Sequence, residues 1–161
     1  MPKVIVPPMR WPLMILLLLG SLIMSPATET MTGKIVKVLP LFLNLKGKDA
    51  LTPSLYDRDA YQVFLRAHTN EVSGMRFDVL WSTSNAIETN LIVRLELRGI
   101  GHAGVPSQTT LEQSVTPHYF RHWTSLPLTG DDFRNFGEVV AWHATLWSDK
   151  KLLSEQNSFL W

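Results

Sequence analysis

Few residues in this chain stand at spacings that could do chemistry, and each such set also has a plain structural explanation. Gly99-Ile100-Gly101-His102-Ala103-Gly104 spells G-x-G-x-x-G directly after a strand-like segment. In a dinucleotide fold those glycines let the backbone approach a pyrophosphate at a helix N-terminus. Here Val105-Pro106 and Thr109-Thr110 do not open an amphipathic helix. The preceding strand also alternates with charges, whereas a buried parallel strand is nearly all apolar. The run is expected to be a glycine loop between strands that holds no cofactor. His118 and His122 are four apart, which on a helix would place two imidazoles on one face for a metal ion. Their segment follows Pro117 and is aromatic, which predicts a strand. Four strand residues span roughly 13 Å, too far for both rings to reach one ion, and no metal site is expected.

Other polar residues lead to the same place. Asp131 and Asp132 follow Gly130 directly and read as turn formers rather than as an acid-base pair. Ser25, Ser54, Ser107 and Ser158 have neither an adjacent base nor a strand-to-helix elbow. His68 falls at a helix C-terminus, where partial positive charge suits the dipole. No nucleophile, base and orienting group can be assembled, so no catalytic residue is expected. The tryptophans are the more informative surplus. Trp81 is in phase with Met75, Phe77 and Val79, and Trp142 with Val140, Ala144 and Leu146, so both belong in a core. Trp147 has the opposite parity, beside His143 and Thr145. Exposed aromatics can stack on sugar rings or on a partner's apolar surface. Trp147, Trp123 and His143 are therefore the candidate interaction surface, the structural alternative being that Trp123, Trp147 and Trp161 cover the open ends of a sandwich.

These residues sit on elements of two periods. Ile35 to Leu45 is apolar and β-rich with Pro40 in its middle, so it reads as an edge strand or a bulged one. Ser54 opens a helix over about 55–67, with Asp57 in capping-box position. Tyr56, Ala60, Phe64 and Ala67 recur at helical spacing on its apolar side, and Arg58, Gln62 and Arg66 fall on the outer face. The period then changes from 3.6 to 2. Met75–Trp81 and Leu91–Leu97 alternate apolar with polar residues, as half-buried antiparallel strands do. Thr109–Val115 and Tyr119–Leu128 are weaker strands, and Val139–Trp147 returns through Ser148-Asp-Lys-Lys151 to a partner over Leu152–Trp161. The expected fold is a mainly β antiparallel sandwich with one inserted helix.

Gly130-Asp-Asp-Phe133, then Gly137-Glu-Val-Val-Ala-Trp142, a charged turn and a final strand resemble the last hairpin of immunoglobulin-like and fibronectin-type sandwiches of exported proteins. The resemblance covers about the last third of the chain and implies a fold rather than an activity. Phe133 stands near where such domains often carry a corner tyrosine.

Composition and the N-terminus bound the setting. Lys3 and Arg10 precede the apolar run Leu13–Met24, and Ser25-Pro26-Ala27 places small residues at a cleavage position. That order is the secretory pattern. The apolar core is shorter than the roughly 20 residues of a spanning helix, and the alternative is an uncleaved anchor over residues 11–24. Residues 1–27 are read as the signal and 28–161 as one domain. The absence of cysteine excludes disulfides, thiolate metal sites and lipid attachment through cysteine. Beyond residue 27 lie 13 basic and 14 acidic side chains, so no clustered basic surface for nucleic acid is expected. The expected protein is an exported non-enzymatic structural or protein-interaction module, periplasmic, secreted or at the cell surface, docking to an envelope or surface protein. A carbohydrate-binding module and, behind it, a small hydrolase are the alternatives.

Overall fold

The computed structural model describes residues 31–84, 90–101 and 104–161. The expected export signal over residues 1–27 lies outside the described residues, as do His102 and Ala103 of the glycine run. The elements in chain order are β1 (Gly33–Asn44), α1 (Leu55–Ala67), a single 3-10 turn at Thr69–Glu71, β2 (Val72–Thr83), β3 (Leu91–Ile100), β4 (Pro106–Val115), β5 (His122–Thr129), α2 (Gly130–Phe136), β6 (Glu138–Ser148) and β7 (Lys151–Asn157). The strands form two antiparallel sheets, β1-β2-β5 and β4-β3-β6-β7.

One core lies between the sheets. Phe77, Val79 and Trp81 of β2 meet Leu91, Val93, Leu95 and Leu97 of β3 with Ala144 and Leu146 of β6, all without solvent exposure. The period-2 alternation of β2 and β3 is thus the buried face of a sandwich. Trp81 brings a polar N–H into that core and donates it to Thr124 Oγ1 at 2.8 Å. The hydroxyl of the equally buried Thr124 is satisfied by the same bond. An unmade bond at either atom would cost about 1–3 kcal/mol.

Pro40 sits where a proline is tolerated. β1 is an edge strand, with an irregular register between Ile35 and Lys37. Its open edge is answered group by group: Ile35 N–H donates to Ser154 Oγ at 3.0 Å, Pro40 has no N–H, and Phe42 is met by Gln62. The Gln62 amide accepts from Phe42 N–H at 2.7 Å and donates to Phe42 C=O at 2.9 Å, completing a strand-like pairing with one side chain. It also donates to Asp49 C=O at 2.8 Å.

That bond corrects the expected orientation of α1. The helix begins at the Ser54 cap, whose hydroxyl accepts from Asp57 N–H. Its inner face is Arg58, Tyr61, Gln62 and fully buried Leu65, whereas Tyr56, Ala60, Phe64 and Ala67 are exposed. Unpaired backbone at a sheet edge needs donors and acceptors, so Gln62 turns inward although hydropathy places it outside. A second helix, α2, replaces the expected turn at Asp131-Asp132. The two carboxylates stand in its first turn and Arg134 in its last, which suits the helix dipole, while Phe136 is buried. Gly137 ends it at φ +84°, so close to β3 that a Cβ would meet Ile100 C=O at 2.3 Å.

Candidate functional site

The two sheets are held close at one end of β1 and parted at the other. At Gly33 a Cβ would meet Leu146 and Leu153 within 2.9 Å, so backbone and facing sheet are in contact there. At the opposite end, Pro40 and Phe42 face a cleft of about 840 Å³. Met75 and Phe77 of β2 form one wall, and Val139, Val140 and Trp142 of β6 form the other. Phe133 of α2 lines the cleft as well. A bulge helps to shape it: Arg98 pairs with Ala141 but Gly99 with Val139, so Val140 is left out of the ladder. The Ser158 hydroxyl accepts from Trp142 N–H at 3.0 Å, and Trp142 C=O accepts from Ser158 N–H, which ties the C-terminal tail along the same rim.

Polar groups of the cleft are few. Arg66, in the last turn of α1, places its guanidinium 6.0 Å from the centre of the Phe42 ring. Arg134 of α2 is ion-paired to Asp131, and Glu138 and Thr69 also line the space. The volume lies within the roughly 300–1,000 Å³ of small-molecule sites, which are mostly apolar with a few placed polar groups. Such a cleft can bind an apolar group; the carboxylate that lines it, Glu138, is exposed.

The tryptophans in phase with the core behave as their parity implies, with one difference of degree. Trp81 is fully buried, and Trp142 packs on the core but remains half-buried because the sheets have parted beside it. Trp147 and His143 share the outer face of the four-stranded sheet. Trp147 N–H donates to Thr145 Oγ1 at 2.9 Å, with the Arg94 guanidinium 5.4 Å from its ring. His143 stands between Glu96 and Glu155, at 3.3 and 3.0 Å, so its two ring nitrogens stitch β3, β6 and β7 together. Trp161 lies beside His143, with Arg98 3.8 Å over its ring. Trp147 and Trp161 therefore cover the outer face of the sheet, not an open end. Trp123 is exposed on β5 and belongs to the other sheet.

His118 and His122 are a correction. The residues from 116 to 121 are not strand; β5 starts at His122. The chain folds back and stacks the two rings, 4.3 Å between centres and 11° between planes, both edge-on to Trp81. His118 C=O accepts from Thr83 N–H at 2.9 Å, which anchors the fold-back. Among the described residues, no group of three or more His, Cys, Asp or Glu could hold a metal ion.

At the glycine run, β3 and β4 form an antiparallel hairpin, so strand and not helix follows Gly104. Gly101 N–H donates to Val105 C=O at 2.7 Å. Gly99 serves a close approach, since a Cβ would meet Glu138 C=O at 2.4 Å. On the outer face of the three-stranded sheet, Arg76 forms a forked pair with Asp78 at 2.9 and 3.0 Å and reaches Asp49 at 3.3 Å. Burial opposes the charge of Arg76, but the bonds to Asp78 and the nearby Asp49 outweigh it and raise its pKa.

Sequence reasoning missed the cleft because β1, β2, α2 and β6 contribute to it from distant parts of the chain. Its nearest signals are Pro40 inside an apolar strand and Gly137 before another. Comparison of the chain with protein-family models, with curated proteins and with solved structures found no match.

Proposed function

We propose that this chain is a non-catalytic binding module of the cell envelope or surface, and that its ligand or partner inserts an apolar group between the two sheets. The observation that carries this reading is the cleft of about 840 Å³ walled by Phe42, Phe77 and Trp142. Apolar surface left open at the end of a core is costly to hydrate, and covering it contributes roughly 25 cal/mol per Å². The strand order also supports an immunoglobulin-like or fibronectin-type sandwich. A three-stranded sheet of the first, second and fifth strands faces a sheet of the fourth, third, sixth and seventh, the pairing pattern that such domains vary around. Export follows from the N-terminal pattern of basic, apolar and small residues. The two tryptophans of the carbohydrate alternative do not share a face, since Trp147 lies under Arg94 and Trp123 belongs to the other sheet.

The test is a titration of the purified chain with the neutral apolar dye Nile red. Saturable binding that Val140→Trp removes, at an unchanged melting temperature, is the expected result. Val140 lines the cleft and is 39% exposed, so a larger side chain there fills open space at little cost to folding. Dye binding that survives the substitution would place the site elsewhere.

A further inference from the structure

We propose that the cleft binds an amphiphile with a carboxylate head, its apolar chain lying between the sheets and its head at Arg66. The proposal rests on reading the cleft as the binding site and adds the class of ligand. Charge complementarity selects that class. Among the described residues Arg66 makes no ion pair, and its guanidinium lies at the Phe42 wall. The other arginine of the cleft, Arg134, is engaged with Asp131. A guanidinium beside an apolar wall offers a carboxylate two parallel N–H donors while the attached chain stays out of water. Glu138 lines the same cleft and opposes the anion, so the preference is set by Arg66 against Glu138.

Walls of Phe42, Met75, Phe77 and Trp142 offer no hydrogen-bonding side chain except the Trp142 indole N–H, which suits methylenes rather than a sugar or a peptide backbone. Each buried methylene contributes about 0.8 kcal/mol, which is roughly fourfold in affinity. Affinity should therefore climb with chain length and separate from the contribution of the head.

Isothermal titration calorimetry of the purified chain with hexanoate, octanoate and decanoate, beside the matching alcohols, tests this. Two added methylenes are expected to strengthen either series about tenfold or more, and each carboxylate to bind about fivefold tighter than its alcohol. Arg66→Gln should erase the advantage of the carboxylates and leave the alcohols unchanged. Arg66 is exposed, so the variant keeps the fold. Glu138→Gln should tighten the carboxylates alone. Val140→Trp should weaken both series. Equal binding of carboxylate and alcohol would overturn the carboxylate assignment while the cleft reading stood. A carboxylate preference that survives Arg66→Gln would overturn it too. No binding by either series would remove the cleft reading as well. Sedimentation of the chain with anionic phosphatidylglycerol vesicles, without binding of decanoate, would overturn the proposal in favour of a lipid surface.

Discussion

Single side chains here carry two kinds of duty, and indole placement separates them. Trp81 has no exposed surface and satisfies its N–H inside the core through Thr124. Trp147 lies on an outer face, held by Thr145 and Arg94. Trp81→Ala is expected to cost about 3–5 kcal/mol, the usual loss for a buried aromatic, and so to unfold most of a domain of ordinary stability. Trp147→Ala should cost about 1 kcal/mol, since it loses a cation-π contact and part of an outer face. Urea unfolding of the two variants checks both numbers. A loss at Trp147 equal to that at Trp81 would show that the outer face belongs to the core. His118 and His122 show how a residue-scale argument fails. The distance inferred holds for a strand, but the chain turns back between His118 and His122, where Thr83 N–H anchors His118 C=O, and stacks the rings.

At the scale of elements, what decides each helix and edge strand is where its backbone groups find partners. Gln62 satisfies both the N–H and the C=O of Phe42 on the open edge of β1. Gln62→Ala is expected to destabilise the fold by about 1–3 kcal/mol, because those groups lose their partner, and amide exchange at Phe42 should accelerate. Gln62→Glu removes the donor and keeps the acceptor, so Phe42 N–H should remain protected. Exchange at Phe42 unchanged in Gln62→Ala would show that the edge is satisfied by something else. Most strands were legible in the sequence because the alternations of β2 and β3 match a face that is truly buried. The capping serine of α1 was equally legible, being a local contact of three residues. The inward face of α1 was not, since hydropathy gives Gln62 no reason to turn toward a sheet edge. Nor was α2, because Gly130-Asp-Asp reads as a turn until Phe136 is seen to be buried. The cleft was least legible of all: Phe42, Phe133 and Trp142 are apolar residues on good elements, and only the parting of two sheets leaves space among them.

For the whole molecule, the described residues form a sandwich whose core is open at one end, and the N-terminal sequence carries the proposal of export. Cleavage should leave a mature chain beginning near Thr28, outside the cytoplasm; N-terminal sequencing that returned Met1 or Pro2 would contradict cleavage and favour an anchor. The open end lies at Pro40 and Phe42, away from Gly33, where the described chain enters β1. Binding there should also stabilise the fold, by roughly 2.7 kcal/mol at a ligand concentration a hundredfold above Kd. Binding between the sheets is read directly by a methyl and indole NMR titration of the purified chain with decanoate. Entry of the alkyl chain between the sheets predicts shifts at the Met75 methyl and the Trp142 indole N–H, with the Trp147 indole and the His143 ring unmoved. Shifts confined to Trp147 and His143, or none at Met75 and Trp142, would contradict it.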